Sequence, residues 1–329
     1  MKKAARKIYN ILRLAIVTAL VSIVGVFAIA YIALSIPAVQ DKIKEVGEEE
    51  LSNLLHTDVK IGDVTIMPFN EVVLKDVEVP DQKGDSLFTI EKLGAGVSLY
   101  NLVVNQRIVF TYAEIVGLKG HIVKPDRESP TNMQFIIDAF KPKGNKPPTK
   151  FDLQFFNVVI YNVVLRKCAL TYDLLSEARK EGQFDPNHVA LDSIKADLTL
   201  PRLKNDDFII ELNRMSLVEQ SGFKLKNIAA KVEINNKMTA ARGLIVELPN
   251  SLLSLGDIEL HYNSLKTMGN DIKNSPVEVT LSNSYIALED ISPFVHKLKG
   301  MTDVVDISAI IKGDANHVDV RTLAVNTHD

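Results

Sequence analysis

Apolar residues take three spacings in turn along this chain. From Leu14 to Ile36 they run almost unbroken (LAIVTALVSIVGVFAIAYIALSI), with no charge and only Thr18, Ser22 and Ser35 as polar side chains. As a helix this run spans roughly 35 Å at about 1.5 Å per residue, enough to cross a hydrocarbon core of about 30 Å. It predicts a transmembrane helix over 14–36. The spacing then becomes near-helical. Val39, Ile43, Val46, Leu51, Leu54 and Leu55 fall on one side and Glu48 to Glu50 on the other. That pattern predicts an amphipathic helix over 38–56, weakened at Gly47 and packed on the first sheet. Pro37 suits the end of one helix or the first position of the next.

From Val59 the period is two. Val59 and Ile61, Val64 and Ile66, Val72 and Leu74, Val77 and Val79, then Ile108, Phe110 and Tyr112 read as strands. Asp81 to Asp85 reads as a turn, and Thr131 to Phe140 as one short helix. Lys141 to Lys150 (KPKGNKPPTK) reads as a linker or a solvated loop. Strands resume at Phe151 and run almost to the end. A loop with a helical turn is expected over Thr171 to Pro186, and one helical interruption at Ile291 to Lys299. The organisation is a basic tail 1–13, the apolar run 14–36, a helix 38–56, a first β segment 57–140, a linker 141–150 and a repeated β segment 151–329.

Within the strands the alternation repeatedly slips by one residue at a small polar side chain. Val189 and Leu191 are odd, whereas Ile194, Ala196 and Leu198 are even. Phe223 and Leu225 give way to Ile228, Ala230, Val232 and Ile234. A slip in a flat ladder would turn every later side chain to the wrong face. A bulge absorbs the extra residue and restores the face. Candidate bulges are Asp63, Asp76, Asn157, Ser193, Asn227, Asp257, Asp290 and Thr322. The units begin near 155, 191, 225, 255, 288 and 320, a period of about 33 residues. The alternative is one large ordinary β-domain rich in bulges.

Charge and composition narrow the class. Lys2, Lys3, Arg6, Lys7 and Arg13 precede the apolar run, while the segment after it is mixed and then acidic. That asymmetry places the N-terminus in the cytoplasm and the body outside it. A cleaved signal peptide is the competing reading, since Ala28-Ile29-Ala30 has a small-x-small form, but the apolar run extends on both sides of it. Net charge is −3, so no basic field points to nucleic acid. Cys168 is the only cysteine, which excludes an internal disulfide.

No catalytic constellation stands out. The seven histidines are scattered, with no HExxH spacing and no Cys/His cluster. Walker A and GxSxG sequences are absent, and Gly94-Ala-Gly96 lacks a third glycine. No catalytic residue, cofactor or metal is expected, and a periplasmic hydrolase is the least favoured function. A repeated sheet could fold into a closed two-layer sandwich or remain an open trough with an apolar inner face. Burial of acyl chains in such a trough is worth about 0.8 kcal/mol per CH₂. Candidate lining residues are Val159, Tyr161, Val163, Leu165, Ile194, Leu198, Ile228, Ala230, Val232, Ile234, Ile258 and Leu260.

The order of short motifs resembles AsmA-like proteins, particularly the TamB (translocation and assembly module) branch in its Bacteroidetes style. The motifs are Val59-Lys-Ile-Gly-Asp-Val64, Asn70-Glu-Val-Val-Leu-Lys-Asp-Val77, Asp81-Gln-Lys-Gly-Asp-Ser-Leu87 and Val97-Ser-Leu-Tyr-Asn-Leu102. Phe184-Asp-Pro-Asn-His-Val189, Glu219-Gln-Ser-Gly-Phe223 and Leu248-Pro-Asn-Ser-Leu252 follow in the same order. The resemblance implies a mainly β protein: an N-terminal transmembrane helix, then an elongated, curved antiparallel β-sheet (groove or taco-like repeat architecture) with a few short helices. It implies a single-pass inner-membrane protein with its body in the periplasm of a Gram-negative bacterium, moving membrane phospholipids between membranes. A second implied role is assembly of outer-membrane proteins with an Omp85-type partner. Family members are usually longer, so this chain is expected to be an N-terminal portion or a truncated relative.

Overall fold

A computed structural model describes residues 17–18, 21–22, 25, 31–67, 71–98, 101, 109–139, 161–204, 207–264, 267–271, 275–314 and 317–327. The expected transmembrane helix over 14–36 lies largely outside them. Among the described residues of that run, 17–18, 21–22, 25 and 31–34 are helical, and no described helix is long and apolar enough to cross a membrane. Val159 and Asn157 also lie outside.

Helix α1 (Pro37–Leu55) starts with its proline in the first turn and ends at His56, whose left-handed φ of 54° closes it. It passes through Gly47 without a break. A Cβ there would meet Ile61 Cδ1 at 3.5 Å, an ordinary van der Waals contact, so the helix–sheet approach does not require glycine at this position. Fifteen strands then form one sheet: β1 (Lys60–Met67), β2 (Glu71–Pro80), β3 (Ser86–Val97), β4 (Phe110–Val116), β5 (Lys119–Lys124), β6 (Asn162–Leu174), β7 (His188–Lys204), β8 (Asp207–Glu219), β9 (Lys224–Ile234), β10 (Met238–Glu247), β11 (Leu252–Leu255), β12 (Ile258–His261), β13 (Val277–Ala287), β14 (Val304–Gly313) and β15 (Val318–Thr327). The order follows the chain. β4 and β5 share one position beside β3 and β6, and β11 and β12 share another beside β10.

The sheet is mixed, which corrects the expectation of a purely antiparallel one. β6 runs parallel to β4 and β5. A parallel neighbour needs a crossover long enough to return to the starting edge. The stretch between β5 and β6 supplies it and carries the short helix α2 (Gln134–Ala139). Two further helical turns, α3 (Met268–Asp271) and α4 (Leu288–Ile291), occupy connections, with a 3₁₀ turn at His296–Leu298. Asp290 is therefore in a helix and not at a bulge. Its carboxylate accepts Asn250 N (2.8 Å) and the Ser251 hydroxyl (2.6 Å), tying the β13–β14 connection to the neighbouring β10–β11 turn.

Several phase slips coincide with irregular backbone. Asp76 (φ 49°) and Ser193 (φ 53°) are left-handed, as are Lys167 (54°), Gly243 (59°) and Asn283 (50°). The register shifts across Asp192/Lys195, Arg242/Ile245 and Leu281/Ser284. At Asn227 the shift falls between Met215↔Ile228 and Leu217↔Leu225, and at Thr322 the extra residue is Arg321. Asp63 and Asp257 behave differently. The β1–β2 register is unbroken across Asp63, so both strands change phase together. Asp257 lies in the gap between β11 and β12. Each device adds local twist and bend.

One hydrophobic cluster is closed to solvent among the described residues. Leu55, Val59, Ile61, Val64 and Val77 form it, with Ile43, Leu51, Leu54, Leu74, Ile90 and Phe135 packed around them. It sits at the β1–β3 end, beneath α1 and α2.

Candidate functional site

The strand register sets side chains on faces, because directly opposed residues point the same way. Following the pairs from β1 gives Val64, Leu74, Leu93, Ile115, Leu165, Ala196, Met215, Ile228, Val246 and Leu253. Ten consecutive positions in the sheet therefore place an apolar side chain in one row. A second row on the same face runs Ile66, Val72, Ala95, Ala113, Val163, Leu198, Leu212 and Ala230. Ile210, Val232, Ala241 and Ile258 make a third, and Phe208, Ile234, Thr239 and Leu260 a fourth.

Of the candidate lining residues, Val163, Leu165, Leu198, Ile228, Ala230, Val232, Ile234, Ile258 and Leu260 thus share one face. Ile194 shares its strand parity with Ala196 and Leu198, and it is buried opposite Cys168. Tyr161 lies just before β6, exposed, its N–H donating to Thr111 O (3.2 Å) and its carbonyl accepting Leu200 N (2.7 Å). Alternation alone does not single out Leu93, Ile115, Met215, Val246 and Leu253. They belong to the rows only once the pairing is known.

The other face is polar. Tyr112, Asn162, Thr199, Glu211, Lys231 and Arg242 form one cross-strand row there. Lys92 bridges to Glu114 (2.7 Å) and Glu71 (3.7 Å), Arg166 to Asp197 (2.6 Å), and Arg214 also to Asp197. Arg242 gathers Asp257 (2.7 Å), Glu259 (2.8 Å) and Glu233 (3.5 Å). The hydrogen bond from Lys92 holds the Glu114 carboxyl below its usual range, and the same bond raises Lys92. Such half-exposed pairs contribute little individually. Their effect is to make this face unsuited to apolar contact.

What covers the apolar face differs along the sheet. At β1–β3 it lies beneath α1 and α2. Beyond β3, among the described residues, the strands make their substantial contacts with neighbours in the sheet, and no helix packs across them. The first row is accordingly half-buried from Leu93 onward, with Ala196 the one closed position. At the far edge Leu323 is 61% exposed and Val325 51%. A sandwich would close these side chains against a second layer.

No group of three or more His, Cys, Asp or Glu side chains among the described residues is placed to hold a metal ion. The site is a surface: a single layer of strands with one apolar and one charged face, capped at one end. No protein-family model, curated protein or solved structure matches the chain.

Proposed function

We propose that this chain is an inner-membrane-anchored periplasmic β-groove protein that takes part in phospholipid transport between the inner and outer membranes. It acts as a conduit and not as an enzyme. The observation that carries this reading is the apolar row crossing ten positions of the sheet, over which, beyond β3, no layer packs among the described residues. Ten stacked positions at about 4.8 Å each give an apolar track roughly 45 Å long. In this reading the bends at the bulges turn the track into a trough. Acyl chains lie in it at a gain of about 0.8 kcal/mol per CH₂ removed from water. The apolar run 14–36 holds the capped end at the bilayer. The motif order shared with AsmA-like proteins supports the same reading.

The test is photo-crosslinking. A photoreactive amino acid at Val232, on the apolar face, should capture phospholipid in membranes, whereas one at Lys231, its neighbour on the charged face, should not. Equal lipid capture at the two positions, or none at Val232, rejects the conduit.

A second reading is favoured by one observation. Among the described residues β15 pairs only with β14, which leaves its other edge without a strand neighbour there. An open edge can accept another strand by β-augmentation. A scaffold for outer-membrane protein assembly with an Omp85-type partner would use it. Crosslinks to barrel proteins at Asp319 or Arg321, together with normal lipid balance on deletion of the protein, would favour this role over lipid carriage.

A further inference from the structure

The connections along one rim of the sheet are unequal. β8–β9 and β10–β11 are joined by short turns, as neighbouring antiparallel strands allow. β13 and β14 are also neighbours, yet residues 288–303 intervene. This is far longer than the roughly two to five residues a hairpin needs.

This connection is held in place. The Phe294 ring packs against Phe184 (centroids 4.9 Å) and edge-on against Phe223 (4.9 Å), and Pro293 O accepts Phe184 N at 2.8 Å. Phe184 belongs to the β6–β7 connection and Phe223 to the β8–β9 turn, so three rim segments meet. Despite these contacts Phe294 stays 48% exposed, with Val295 at 45% and Met301 at 44%. Between Asp290 and Asp303 there is no acidic residue, while His296, Lys297 and Lys299 are present and exposed. None of these three makes an ion pair among the described residues. Of the flanking acids, Asp290 is bound by Asn250 N and the Ser251 hydroxyl, while Glu289 and Asp303 are exposed at the two ends of the connection, outside residues 293–301.

Exposed bulky apolar side chains interleaved with unpaired cations are what an anionic bilayer surface rewards. The apolar groups enter the headgroup boundary and the lysines meet lipid phosphates. We propose that residues 293–301 form a second membrane contact, docking this rim on an anionic lipid surface. The Phe184–Phe294–Phe223 cluster pre-orders the loop, so docking costs little conformational entropy. The position is informative. β13 and β14 lie near the opposite end of the sheet from α1, so the contact fixes the orientation of the sheet as well as its attachment. This inference concerns docking alone and stands whether or not the apolar face carries lipid.

The test uses the full chain reconstituted in phosphatidylcholine vesicles with or without phosphatidylglycerol. A polarity-sensitive fluorophore is attached at V295C. The native Cys168 is 1% exposed and stays unlabelled. K226C, on the charged face, is the reference site. Nitroxide lipids are placed either in the host vesicles or in separate vesicles added afterwards, which distinguishes docking on the anchoring membrane from docking on a facing one. Quenching at V295C above K226C in either arm, requiring phosphatidylglycerol, is the expected result. K297Q/K299Q should raise the vesicle concentration needed in the second arm by on the order of tenfold. No excess quenching in either arm overturns the proposal. So does quenching insensitive to both the anionic lipid and the lysine substitutions. A protein crosslink from V295C without lipid quenching would assign the loop to a protein partner and equally overturn it.

Discussion

Glu48 on α1 accepts the backbone N–H of Ile61 on β1 at 2.7 Å. Two more side chains of α1 act the same way. Ser52 Oγ accepts Val59 N (2.9 Å), and Lys44 Nζ donates to Gly62 O (3.0 Å). Ile61 and Gly62 belong to β1 and Val59 immediately precedes it, at an edge with no strand beyond it among the described residues. An open edge is a template for pairing with another chain, and covering it with a helix removes that hazard. Here the helix does more than cover the edge: it satisfies three backbone groups where the strand begins. Among the described residues no helix caps β15 in this way.

Glu48→Ala should therefore leave Ile61 N–H without its acceptor at a part-buried site. The expected cost is about 1–3 kcal/mol, with an increased tendency to associate. Glu48→Gln keeps an acceptor oxygen and should lose much less. Chemical denaturation with light scattering on both variants checks this. Equal losses would show that the charge, and not the hydrogen bond, matters.

Two isoleucines separate the closed core from the uncovered face. Ile61 is buried beneath α1, while Ile228 occupies the middle of the apolar row with strands on either side and, among the described residues, no layer above. Ile61→Ala should cost about 2–5 kcal/mol. Ile228→Ala should cost only about 1 kcal/mol, since it removes less contact and leaves no enclosed void. Denaturant midpoints of the two variants decide. A loss at Ile228 as large as at Ile61 would mean that a protein layer covers the row.

Much of this was legible in the sequence, and the misses have physical causes. Alternation identified most strands, and slips at Ser193 and Asn227 marked places where an extra residue had to be absorbed. Gly243 carries the same slip, from Ala241 to Leu244, but Ala240 and Ala241 are both small, so the change of phase is faint. Asn283 is masked because Ser284, not an apolar residue, takes the inward place after Leu281. Asp290 follows the same local pattern as a bulge, yet Pro293 lies close behind it and the chain turns helical instead. The parallel setting of β6 was out of reach. Alternation says which face a side chain occupies and nothing about strand direction, and the deciding contacts join residues such as Ile115 and Leu165 across a long crossover.

Ser193 tests the bulge directly. Its φ of 53° lies where a Cβ is unfavourable by roughly 1–2 kcal/mol. Ser193→Gly should be neutral or slightly stabilising. Ser193→Val, a β-branched residue in the same conformation, should cost at least about 1 kcal/mol and shift the β7–β8 register. Thermal unfolding reads the first effect, and amide hydrogen exchange on Lys195 and Ala196 reads the second. A tolerated valine would mean that the slip is absorbed elsewhere.

The last prediction concerns pH at the rim. His188 is buried, with Nδ1 2.9 Å from Asp173 Oδ1 and Nε2 2.9 Å from Glu177 O. Both ring nitrogens face acceptors, so the doubly protonated ring satisfies both and the neutral ring only one. The bond to Asp173, then that to the Glu177 carbonyl, raises the histidine above its ordinary value. Its contribution is complete below about pH 6.5 and is lost as pH rises through the elevated native value. The nearby acids act in the opposite sense. Burial alone would raise Asp173 and Asp185. It is outweighed at Asp173 by His188 and Arg179, and at Asp185 by the backbone N–H groups of Lys180 and Asn187. Both carboxyls are lowered, so their contributions are present above about pH 3.9 and fade as pH falls through the native values. The β6–β7 connection should thus be most protected between about pH 4 and 6.5. Hydrogen exchange on residues 175–187 across pH, corrected for intrinsic rates, should show this maximum. His188→Gln should flatten the alkaline limb and Asp185→Asn the acid limb. Unchanged limbs in both variants would remove these groups from the stability of the rim.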